Sequence, residues 1–130
     1  MKAPTEEWLK AAKDDLDVIE RIIDAAHLTH IVAFHAQQCI EKSFKALLEE
    51  HDIETPKIHN LVTLSGKVEP FIENEMDESL LKTLDLLYIG SRYPGDFGLL
   101  PDGKPSLQEA REFYSFAEKV YEIVKARLSS

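Results

Sequence analysis

The chain has 130 residues, 44% hydrophobic and 30% charged, the make-up of a globular domain long enough for a real core. Its 15 Lys and Arg against 24 Asp and Glu leave a formal charge of −9, which excludes a broad phosphate-tracking surface for DNA or RNA but not a small basic pocket. One cysteine cannot form an intrachain disulfide, no apolar run approaches the ~20 residues that cross a bilayer, and MKAPTEEWLK lacks a signal-peptide core, so a single cytoplasmic domain over residues 1–130 is expected, with no membrane partner.

Pro4-Thr5-Glu6-Glu7 is a helix-start signal, with Thr5 as the expected cap and two acids suited to the dipole. The first helix is expected to run from Thr5 to about Ala26, with Trp8, Leu9, Ala12, Leu16, Ile19 and Ile22 on its apolar side. Asp15 breaks that pattern, falling between Trp8, Ala11, Ile19 and Ile22. A buried carboxylate is costly unless paired, so Asp15 either takes a cationic or donor partner from another helix or reaches water at the edge of the face.

After a turn at Leu28–His30, a second helix runs to about Glu50 and organises the chain. Wound at about 100° per residue, it presents a broad apolar arc from Val32 through Ala36, Cys39, Ile40, Phe44 and Leu47. So wide an arc implies a helix surrounded on more than one side. Cys39 lies in it and is expected to be a small buried hydrophobe. The remaining sector carries Phe34 and His35, then Gln38, Glu41, Lys42 and Lys45 as one stripe. Glu41 and Lys45 have the favourable spacing for a helix salt bridge, so the stripe is open to two accounts. It is a solvated or structural network, with Asp15 as counter-charge to Lys42 or Arg92. Or it is a basic pocket of Lys42, Lys45 and Arg92 for a nucleotide phosphate or a partner's carboxylate.

His51–His59 is a connector broken by Pro56, and a short helix follows from Asn60 to Val68. His59, at its start, caps or packs, or donates to an anion at that N-terminus. A further helix runs from Ser79 to about Ser91. Arg92–Pro105 is the Pro/Gly-rich loop, in which Tyr93 precedes Pro94 and is available to stack on a base or to pack. Ser106-Leu107-Gln108-Glu109 is a capping box that opens the last helix. His27 and His30 lack a third ligand, so no metal or other cofactor is expected. The fold expected is all-α, an up-and-down four-helix bundle with one additional short helix.

The series WLKAAKDDL (8–16), FHAQQCIEKSFKALL (34–48), His59-Asn60-Leu61 and Arg92-Tyr93-Pro94-Gly95-Asp96 resembles the HEPN domain family of prokaryotes over about Glu7 to Leu128. The resemblance implies a helical bundle, a homodimer, and partnership with a small nucleotidyltransferase in a toxin–antitoxin-like setting. It also implies either metal-independent RNA cleavage or nucleotide binding. Cleaving members carry an Arg followed, after four to six residues, by a His near the last helix, one group for the phosphate and one for the 2′-hydroxyl proton. No His follows His59 here, and Arg21 with His27 has the spacing only at the end of the first helix. The expectation is therefore no catalytic residue, with Asp15, Gln38, Glu41, Lys42, Lys45, His59, Arg92 and Tyr93 as a ligand site; the alternative is a ribonuclease using Arg92 with His59 or His35.

Overall fold

The structure is a computed structural model and describes residues 1–73, 76–91 and 103–129. Five helices are formed among these: α1 (Ala3–Ile22), α2 (Thr29–Glu50), α3 (Leu61–Val68), α4 (Glu78–Ser91) and α5 (Leu107–Ser129). Short 3-10 turns at Ala26–Leu28 and Glu69–Phe71 join or extend them, and no strand occurs among the described residues.

Contacts at the helix ends fix the directions. Thr5 at the start of α1 donates to Glu50 at the end of α2 at 3.0 Å, so the two run antiparallel. Arg111 at the start of α5 reaches Asp24 just past α1 at 3.0 Å. Phe34 near the start of α2 stacks on Tyr88 near the end of α4, with centroids 5.4 Å apart. The four long helices therefore alternate up, down, up and down, and α3 is the additional short one.

The wide apolar arc of α2 has the expected consequence. Fourteen of its 22 residues are buried, and it packs against all four other helices. Ala12, Leu16 and Ile19 of α1, Phe44 and Leu47 of α2, Leu84 of α4 and Val120 and Val124 of α5 meet in one core at 0–1% exposure. Each large aliphatic side chain so buried contributes about 1.5–3 kcal/mol. Cys39 is also fully buried, and burial pushes its thiol up to about 12, so it stays protonated and unreactive near neutral pH.

The local signals are met unevenly. The capping box forms, with Ser106 Oγ accepting from Glu109 N–H at 3.0 Å and Glu109 Oε1 accepting from Ser106 N–H at 2.9 Å. Asn60 caps α3 through Thr63 N–H at 2.8 Å. Thr5 does not cap α1: the helix begins two residues earlier, with Lys2 at the cap position, and the Thr5 hydroxyl is drawn inward by Glu50. The first helix also ends earlier than its pattern suggests, at Ile22, before the 3-10 turn.

Candidate functional site

The polar stripe of α2 is an internal seam, not a solvated face. Glu41 and Lys45 are 3% and 5% exposed. The stripe divides between two carboxylates. Asp15, on α1, is buried and takes Lys42 Nζ on Oδ2 and His35 Nδ1 on Oδ1, both at 2.8 Å. Glu41 takes Lys45 Nζ on Oε2 at 3.0 Å and His59 Nδ1 on Oε1 at 2.9 Å. Lys45 also lies 5.5 Å from the centre of the Trp8 ring, so its charge has two partners inside the bundle.

Each lysine and imidazole here is thus matched to a carboxylate. Asp15 has Lys42 and His35 as its partners among the described residues, while Arg92 and Tyr93 lie outside the described residues. Both ammonium groups are bound to carboxylates within the chain, as the structural account of the stripe expects, and Arg92, the third member of the alternative basic pocket, is not among the described residues. Gln38 adds to the seam through Nε2, which donates to Gln37 Oε1 at 2.8 Å and to Glu41 Oε1 at 3.4 Å.

Two residues of this network have no counterpart in the stripe as read from the sequence. Gln37 is fully buried, and its Nε2 donates to the His59 carbonyl at 2.6 Å and to Asp85 Oδ1 at 3.4 Å. Asp85, on α4, accepts the Leu61 N–H on both oxygens, at 3.0 and 2.9 Å. This carboxylate from the same chain sits at the start of α3 and satisfies an amide that the helix leaves open, while the His59 ring turns to Glu41 instead. Burial pushes the Asp85 carboxyl above its usual range, and the bonds from Leu61 and Gln37 offset part of that. The signal that would have revealed Asp85 is the one that revealed Asp15: an acid interrupting an apolar run, here Leu80, Leu81, Leu84, Leu87 and Tyr88.

One part of the seam remains open to solvent. The His59 side chain is 51% exposed although its Glu41 partner is 5% exposed. A carboxylate already bound to an ammonium group accepts hydrogen bonds, so Nδ1 carries the proton toward it and Nε2 is the nitrogen left for a ligand. Tyr88 lies beside that ring at 5.6 Å between centroids and stacks with Phe34, which meets the His35 ring edge-on at 5.2 Å. The arrangement is an oriented imidazole next to a half-buried aromatic pair. Nε2 can accept a hydrogen bond or take up a proton and then donate to an anion, beside a surface suited to a planar ring.

The fold and the family comparisons agree on an all-helical domain. The HEPN domain profile matches residues 5–127, and the chain belongs to the HEPN domain family. The protein "Putative toxin MJ1304" of Methanocaldococcus jannaschii is 31% identical over 132 residues, spanning 91% of this chain and 84% of that protein. The crystal structure of ST0689, described as an archaeal HEPN homologue, is 28% identical, with a TM-score of 0.70 over 97% of this chain and 98% of that chain.

Proposed function

We propose that this chain is a dimeric binding module of a toxin–antitoxin-like system, which takes a nucleotide at the open end of the α2 seam and works with a small nucleotidyltransferase. The observation that carries the reading is the Glu41–His59 pair at 2.9 Å beside Tyr88 and Phe34. A buried carboxylate holds one imidazole in place at a solvent-facing edge, and the aromatic pair supplies a stacking surface for a base. The toxin name of the Methanocaldococcus relative supports the setting. Leu86 and Ile89, 67% and 46% exposed and three residues apart on α4, supply an apolar contact for a second copy. Titration of the purified protein with adenine and guanine nucleotides, and with a nucleotidyltransferase encoded beside it, tests the reading. Saturable binding of either supports it, and binding of neither removes its content.

The second reading is a metal-independent ribonuclease, and the same pair favours it, because a carboxylate-held imidazole is a competent general base. Incubating RNA with the protein in EDTA separates the two. Cleavage that disappears in His59→Ala establishes the second reading, whereas intact RNA ends it.

A further inference from the structure

Gln38 differs from the charged residues of the α2 stripe, which all find their partners inside the chain. Its nitrogen is committed twice, to Gln37 Oε1 at 2.8 Å and to Glu41 Oε1 at 3.4 Å. Its oxygen has no partner among the described residues. The buried side-chain atoms left unpaired there belong to Thr29, His30 and Thr55, so Gln38 Oε1 reaches solvent.

The oxygen and nitrogen of a side-chain amide are told apart by their partners. Here the direction is set through three residues. The His59 carbonyl can only accept, so the Gln37 nitrogen faces it, at 2.6 Å. Gln37 Oε1 is then an acceptor, and it takes the Gln38 nitrogen. Glu41 makes the same demand from its own side. A flipped Gln38 amide would set its oxygen against two others. The fully buried Gln37 therefore turns the Gln38 carbonyl outward.

This carbonyl stands at the open end of the seam. Gln38 follows Phe34 one turn along the same face of α2. It shares Glu41 Oε1 with the His59 ring, which bonds that oxygen at 2.9 Å and lies 5.6 Å from the Tyr88 ring. The edge beside the Phe34–Tyr88 pair thus carries acceptors, Gln38 Oε1 and, in the neutral ring, His59 Nε2. The donors of these two side chains, Gln38 Nε2 and His59 Nδ1, are both turned to Glu41. We infer that Gln38 sets base specificity at the proposed nucleotide site, its carbonyl accepting from the exocyclic amino group of an adenine seated against Phe34 and Tyr88. The inference rests on the nucleotide-binding reading above. Hypoxanthine has the same ring system but places a carbonyl oxygen where adenine has its amino group, so two acceptors would face each other with no donor between them. Guanine carries the same carbonyl. A purine also covers more of the aromatic pair than a pyrimidine does.

Calorimetric titration of AMP and of IMP into the full chain tests the inference, since the two differ at that substituent. AMP is expected to bind at least about tenfold more tightly than IMP. Gln38→Leu removes the acceptor and is expected to bring the two within about twofold of each other, by weakening AMP. Gln38→Lys puts a donor in place of the acceptor and is expected to reverse the order. The ratio of the two affinities is read within each protein, so a general loss of binding does not mimic the effect, and circular dichroism checks the fold of each variant. Equal affinity of the parent for AMP and IMP overturns the assignment to Gln38 and leaves nucleotide binding in place. A preference for AMP that persists in both variants overturns it as well. A parent that binds neither nucleotide removes the nucleotide reading and this inference with it.

Discussion

Removing the Glu41 carboxylate exposes what the seam is for. In Glu41→Ala, Lys45 keeps its position in the core, with its side chain 6% exposed, and loses the carboxylate 3.0 Å away. Breaking one side of a buried ion pair costs about 3–5 kcal/mol, because the remaining charge is neither hydrated nor paired. The Trp8 ring recovers only a fraction of that, about 0.5–2 kcal/mol, and is present in both proteins. A domain of this size has a total stability of roughly 5–15 kcal/mol, so the loss is a large share of the whole and corresponds to a fall in melting temperature of about 10–20 °C. Lys45→Met is expected to cost less, since His59 and Gln38 still serve Glu41. The double variant Glu41→Leu with Lys45→Met is expected to lie close to the parent, because an apolar pair of similar volume replaces the ionic one without stranding a charge. Urea unfolding of the four proteins compares these costs. A Glu41→Ala loss below about 1 kcal/mol, or a double variant no better than the single, would refute the internal pairing.

Three further outcomes follow from particular contacts. Because burial raises the Asp85 carboxyl, the folded state binds more proton than the unfolded one between 3.8 and the raised value, so the contribution of Asp85 to stability falls as pH rises through that window. Asp85→Asn keeps an acceptor for Leu61 N–H and cannot titrate; urea melts of both proteins across that window should show the parent losing ground to the variant as pH rises, and a constant difference would count against this. Ser106→Ala removes one half of the capping box and should cost about 1 kcal/mol, read as a lower urea midpoint with unchanged slope. The Cys39 thiol, buried and pushed up to about 12, should resist a thiol reagent in the native protein at neutral pH and react fully in denaturant.

The parts of this fold legible in the sequence are those set by local periodicity and local chemistry. The breadth of the apolar arc on α2 marks it as the central helix, and the Ser106–Glu109 pattern becomes a capping box because both of its bonds lie within one turn. Asp15 was visible as an acid inside an apolar face, although its partners were not. Lys42 and His35 reach it from another helix, 27 and 20 residues away, and spacing on one helix says nothing about that. The same limit hides Gln37, whose contacts lie 22 and 48 residues distant, and it hides Asp85 as the acceptor at the start of α3. The stripe from Gln38 to Lys45 was legible as a stripe, and its division between two carboxylates was not. Helical spacing fixes which side chains share a face. It does not fix whether the facing helix offers them water or a counter-charge. Thr5 shows the reverse error, since a good cap residue near a helix start was claimed instead by Glu50 at the far end of its neighbour.

Calorimetric titration of nucleotides into the parent protein and into His59→Ala tests most directly whether the open end of the seam is a binding site. Saturable binding of one nucleotide per chain, weakened at least about tenfold in His59→Ala while the melting temperature holds, is the predicted result. No heat of binding in the parent, or equal affinity in the two proteins, would contradict it.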